Sequence, residues 1–156
     1  MRYVMIFLLF FAVLFCIGCP EKPTDQPDNG EVKPFTPPED GRISVTQQKS
    51  YIKASLALQT AMEKYSDMIK EFVDKYKLKQ DLSQMSDTVF LNSKPEIKKE
   101  WEVLNKKWDE MQKEAYKTAE ISEEEFNWIG GALTDEINAA VQKEVEKALT
   151  PEKENE

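Results

Sequence analysis

The sequence predicts an all-α fold: a helical bundle of three long helices and one short helix, behind a disordered Pro-rich tether. Three observations carry this. Six of the eight prolines lie within residues 20–42, and only Pro95 and Pro151 follow. Beyond Ile43 the apolar residues recur three and four apart rather than in alternation, the helical period and not the strand period. The same stretch is rich in Lys, Glu, Ala and Leu, and its glycines are confined to Gly130 and Gly131. Four segments follow: 1–18, a leader; 19–42, a spacer; 43–150, the helical body; and 151–156, a charged tail.

The first helix is expected over residues 45–78. Tyr51, Leu58, Tyr65 and Phe72 are seven apart, and Ala54, Ala61, Met62, Met68, Ile69 and Tyr76 fill the adjacent stripe, an amphipathic pattern. At 1.5 Å per residue it reaches about 50 Å. Lys77 and Lys79 suit its negative end. Residues 81–91 read as a brief crossing helix with Leu82, Met85 and Val89 on one side.

Ser93-Lys94-Pro95-Glu96 then offers a capping Ser, an early Pro and a Glu three residues on, the capping-box order. Behind it Ile97, Trp101, Leu104, Trp108, Met111 and Ala115 form a sharp seam. The last long helix opens at Ser122. Glu125 is placed to complete a box, and Ile121 and Phe126 to form a hydrophobic staple. Its inner face is expected to run Phe126, Ile129, Leu133, Ile137, Ala140, Val141, Val145 and Leu149, ending before Pro151. Gly130-Gly131 costs about 1 kcal/mol per Gly relative to Ala, which suggests close passage under a ring such as Trp101 or Trp108.

Charge and composition limit the chemistry. The chain carries 21 Lys plus Arg against 29 Asp plus Glu, a net −8, where phosphate binding asks for a basic face; no nucleic-acid partner is expected. Histidine is absent, so His-based nucleophilic catalysis, His-ligated zinc and helix-borne Glu-x-x-His iron sites cannot be built. Carboxylates such as Glu100, Glu102, Asp109, Glu110 and the run 123–125 alternate with Lys or lie at a helix start. They read as a solvated surface rather than a paired acid/base or calcium site. No catalytic residue, metal or cofactor is expected, and the chain is read as non-enzymatic.

The leader is more specific. Met1-Arg2 precedes an unbroken apolar run over residues 3–17, then Gly18 and Cys19, the layout of a secretory signal. Cys16-Ile17-Gly18-Cys19 resembles the lipobox of bacterial lipoproteins: Ile17, Gly18 and Cys19 match, and Cys16 departs from the common Leu. The resemblance covers the leader alone. It implies cleavage between Gly18 and Cys19, with acyl chains on the Cys19 thiol and often on the new amino group. Two other readings stay open: plain secretory cleavage, and an uncleaved helix, since the apolar run sits near the lower limit for spanning a bilayer. Under lipidation Cys16 leaves with the signal and no thiol remains for a disulfide.

Partners follow from this layout: the bilayer through the acylated terminus, and an envelope protein or a second copy through the body. The location is the cell envelope, with the outer membrane favoured where there are two, because Pro20 replaces the Asp that marks inner-membrane retention in some enteric bacteria. Trp101, Trp108 and Trp128, with Tyr116 and Phe126, are the candidate ligand or partner residues. Trp128 is the strongest of these, because it falls beside the apolar stripe rather than on it. The body is thus expected to be a binding or scaffolding module; the alternative is a small-ligand receptor with an aromatic-lined cavity between helices.

Overall fold

The structure, a computed structural model, describes residues 35–150. The lipobox with Gly18 and Cys19, the spacer up to residue 34 and the tail 151–156 lie outside the described residues. The fold is all-α, with no strand among the described residues. Five helices follow in order: α1 (Val45–Tyr76), α2 (Thr88–Ser93), α3 (Pro95–Thr118), α4 (Glu123–Ala132) and α5 (Ala139–Leu149). Short 3₁₀ turns at Ser83–Ser86 and Glu136–Asn138 precede α2 and α5.

Helix α1 starts at a full capping box. The Ser44 hydroxyl accepts from the Gln47 amide at 3.2 Å, and the Gln47 side chain accepts from the Ser44 amide at 2.9 Å, so two otherwise orphaned donors are met. Both long helices, α1 and α3, end in left-handed residues that are not glycine, Lys77 (φ 52°) and Glu120 (φ 56°). Such a residue costs roughly 1–2 kcal/mol. In return the next amide reaches back over the last turn, Leu78 to the Val73 carbonyl and Ile121 to the Tyr116 carbonyl. Leu78 and Ile121 then pack into apolar clusters, the hydrophobic contact that accompanies this kind of cap.

Helices α1 and α3 run antiparallel and join two separate cores. In the first, Ala54 and Tyr51 of α1 meet Ala119, Ile121, Phe126, Ile129 and Val145, so α4 and α5 cover this end. In the second, Phe72 of α1 meets Met85, Ile97 and Leu104, with Phe90, Leu91 and Trp101 alongside. The α3 seam lies as expected, with Ile97, Leu104 and Ala115 buried.

Four expectations are corrected. The last long helix is two helices. After Leu133 the Thr134 amide and hydroxyl both turn back to the Gly131 carbonyl, and the Asp135 amide turns to Ala132. The apolar stripe is interrupted there: Asn138 is buried, whereas Ile137 is 47% exposed and Ala140 is exposed, and the stripe resumes with Val141, Val145 and Leu149 on the first core. Ser93 does not cap α3. It is the last residue of α2, its hydroxyl donating to the Phe90 carbonyl, while Lys94, outside the helical region at φ −132° and ψ 68°, leads into Pro95; the α region is disfavoured before a proline. Val89 is 77% exposed, and Phe90 and Leu91 turn inward instead, because Asp87 caps α2 and sets its phase. The ring over the glycine pair is Tyr51, whose hydroxyl would lie 3.5 Å from a Cβ on Gly130; a Cβ on Gly131 meets nothing within 4 Å.

Candidate functional site

The three tryptophans occupy three separate places. Trp101 lies 5.7 Å from the Phe72 ring in the second core. Trp108 lies 5.1 Å from Tyr65 on the facing helix. Trp128, half-buried on α4, is 5.5 Å from Phe35. Tyr116 and Phe126 do come together, at 5.3 Å, and Tyr51 stacks on Phe126 at 4.6 Å. Burial of these tyrosines raises the Tyr51 and Tyr116 pKa values above the ordinary phenol value. The rings of the α1–α3 seam and the first core are therefore spent on one another.

Trp128 differs, because its partner comes from outside the helices. Residues 35–43 form an arm ahead of α1. Phe35 meets Trp128, the Gly41 amide closes a turn onto the Pro38 carbonyl at 3.0 Å, and Ile43 is buried in the first core. Phe35 belongs to the stretch expected to be spacer, and its apolar ring in a run of prolines was the available signal for this contact.

The arm is held at its inner end by Asn138, a buried polar residue that sequence reasoning missed. Its carboxamide oxygen accepts from the Ile43 amide at 3.1 Å; its nitrogen donates to the Gly41 carbonyl at 3.0 Å and the Ala132 carbonyl at 2.9 Å. One side chain thus meets the buried Ile43 amide, which needs a partner, and ties the arm to the end of α4, where the Ala132 carbonyl accepts from it as well as from the Asp135 amide. A second cross-link sits nearby. The Gln47 side chain, besides closing its own box, donates to Glu125 at 3.0 Å, tying the α1 start to the α4 start. Glu125 is occupied there rather than closing the box expected at Ser122, whose hydroxyl still accepts from the Glu125 amide.

At the other end, an open groove of about 300 Å³ runs between α1 and α3, floored by Met68, Phe72, Val103 and Leu104 and edged by Lys75 and Glu100. The Lys75 ammonium and the Tyr76 hydroxyl both donate to the same Glu100 oxygen. These bonds hold the Glu100 carboxyl below its ordinary range and raise the Tyr76 hydroxyl and the Lys75 ammonium above theirs. A carboxylate kept ionised this way is a poor proton donor near neutrality. Phe72 is the aromatic among the groove's lining residues; Trp101 and Trp108 are not in it. Among the described residues, no group of carboxylates or thiols is placed to hold a metal ion, and no helix is long and apolar enough to cross a membrane. Comparison with protein-family models, with curated proteins and with solved structures finds no match to this chain.

Proposed function

We propose that this chain is a membrane-anchored bacterial lipoprotein whose helical bundle acts as a non-catalytic binding or scaffolding module in the cell envelope. The observation that carries the anchor is the leader: the apolar run 3–17 ends in Ile17-Gly18-Cys19, and a proline-rich stretch starts at Pro20. Acylation at Cys19 anchors durably with two or more chains, since each buried CH₂ contributes about 0.8 kcal/mol. The part of the Pro-rich tether ahead of the seated arm, residues 20–34, would as a coil span about 19–23 Å on average and hold the body off the bilayer.

The binding role is supported by where the polar side chains of the body go. Asn138, Gln47, Ser44, Ser122, Glu125 and Glu100 each hold part of the fold together. Trp128 supplies the one indole whose ring partner lies outside the helices. The surface around it is the proposed contact site, facing an envelope protein or a second copy.

Two measurements test this. Intact mass of membrane-extracted protein is expected to show a chain starting at Cys19 with acyl mass; a species retaining Met1, or one lacking acyl mass, rejects the anchor. Crosslinking in intact cells is expected to recover a reproducible envelope neighbour or a homo-oligomer. A clean monomer, or turnover of a substrate, rejects the module.

A further inference from the structure

We infer that residues 35–40 are a flap over Trp128, hinged at Gly41 and stopped at Asn138, and that the surface beneath accepts an extended aromatic–proline segment. The purpose of the flap rests on reading the body as a binding module; its geometry does not.

The arm is fastened very unequally along its length. Its inner end is fixed: Ile43 is 6% exposed, and Asn138, 2% exposed, holds the Ile43 amide and the Gly41 carbonyl. Toward the outer end the hold falls to one aromatic pair, Phe35 on Trp128 at 5.5 Å with the planes tilted at 48°. Between them Thr36, Pro37, Glu39 and Asp40 are exposed. The backbone bonds recorded within 35–42 are the turn closure from Gly41 to Pro38 and the bond from the Arg42 amide to the Asp40 carboxylate. Outer and inner ends are therefore joined by a turn in which, of the side chains, Pro38 alone is half-buried and none is fully buried.

Gly41 is the natural pivot. Its φ is 65°, a conformation L side chains rarely adopt, and nothing lies within 4 Å of where a Cβ would be. Rotation about its N–Cα bond swings residues 35–40 while leaving its carbonyl, which lies after that bond, on Asn138. The flap can lift without breaking the inner lock, so Trp128 is uncovered while α1 and the first core stay intact. Two prolines, Pro37 and Pro38, stiffen the flap and lessen the entropy lost each time it closes.

The seated flap also indicates what fits beneath it. The Trp128 surface already takes a Phe followed by Thr-Pro-Pro. A trans ligand of the same chemistry competes for that seat, against a flap whose tethering gives it a high effective concentration.

The test uses the full chain in detergent with Trp101→Phe and Trp108→Phe, so that emission reports Trp128. Phe35→Ala is expected to shift that emission to the red and increase iodide quenching, with the helical melt unmoved. A synthetic peptide of residues 33–42 is then expected to reverse the shift in the Phe35→Ala protein and to need far higher concentration in the Phe35 parent. Unchanged Trp128 emission after Phe35→Ala overturns the flap, as does peptide binding that is equal in both proteins or absent from both. Should Phe35→Ala move the melt, the peptide comparison in the Phe35 parent against Gly41→Ala, where the hinge is strained, decides in the same way. Peptide capture only by the uncovered protein, alongside crosslinking that finds neither envelope neighbour nor oligomer, would uphold the flap and reject the module.

Discussion

Replacing Asn138 by Ala should be among the most damaging single polar substitutions in the body. The change orphans the Ile43 amide in buried surroundings and the Gly41 carbonyl in partly buried ones, while the Ala132 carbonyl keeps its bond from the Asp135 amide. A buried group stripped of its partner costs about 1–3 kcal/mol, which the Ile43 amide alone incurs. The Gly41 carbonyl finds water more readily and adds less. The expected loss is about 2 kcal/mol, a sizeable share of the 5–15 kcal/mol by which domains are usually stable. Urea denaturation followed by far-UV ellipticity should show a lower midpoint at an unchanged slope.

Asn138→Asp separates hydrogen bonding from volume. The variant keeps the acceptor for the Ile43 amide but turns a charged oxygen toward the Gly41 and Ala132 carbonyls. Its folded pKa is therefore raised above the ordinary value of about 3.9. The folded form then binds a proton more tightly than the unfolded form, so stability rises as pH falls through the raised value and is lost as pH climbs through it. The variant should match Asn138→Ala near pH 7 and recover part of the loss near pH 5. A wild-type midpoint for Asn138→Ala, or an Asn138→Asp protein with no more pH dependence than the wild type, would refute the reasoning.

Gly131→Ala should raise stability by about 1 kcal/mol through helix propensity, because a Cβ there meets nothing within 4 Å; a melt shifted upward by about 3–6 °C checks it. Gly130→Ala should gain less, its Cβ touching the Tyr51 hydroxyl at 3.5 Å. Phe72→Ala, at a site 2% exposed in the second core, should cost about 3–5 kcal/mol, and in single-tryptophan proteins it should redden Trp101 emission while leaving Trp128 emission in place. Glu100→Gln should bring the Tyr76 hydroxyl back toward the ordinary phenol value, read by absorbance near the phenolate band. The Glu100 contribution is present above the ordinary carboxylate range and is lost as pH falls through its depressed value. Those of Lys75 and Tyr76 are lost as pH rises through their raised values, so Glu100→Gln should flatten both limbs of the pH–stability curve.

Much of the helix plan was legible because it depends on local chemistry. The period of Tyr51, Leu58, Tyr65 and Phe72 placed α1 within two residues of its observed end at Tyr76, and Ser122 caps α4 as its side chain requires. What failed were the junctions, where a short polar residue has several possible partners. Ser93 has a hydroxyl suited to capping, but it donates to the Phe90 carbonyl one turn back at 2.7 Å instead. The stripe of residues 126–149 contains no proline and no capping box at its middle, so the local marks of the break were faint: Gly131, and Thr134-Asp135 turning back over the end of α4. The break depends on Asn138, whose partners at Ile43 and Gly41 lie 95 and 97 residues away.

The same distinction explains the candidate site. Trp128 stood out in the sequence by falling off the apolar stripe, a local property. Its cover was marked only by a single apolar ring, because Phe35 sits among prolines that forbid both helix and sheet, and composition alone assigns such a stretch to a spacer. Whether one ring in such a stretch seats against the body depends on how many further contacts share the cost of ordering the chain. Here Ile43 and Asn138 already order the arm's inner end, so Phe35 needs only the few residues of the turn to be fixed before it reaches Trp128. Loosening the lock should therefore weaken the cover as well: Asn138→Ala is expected to redden Trp128 emission under native conditions, although Asn138 does not pair with either ring. If emission stayed in place while the urea midpoint fell, the arm's two ends would be independent, and the seating of Phe35 would need a cause other than the ordered turn.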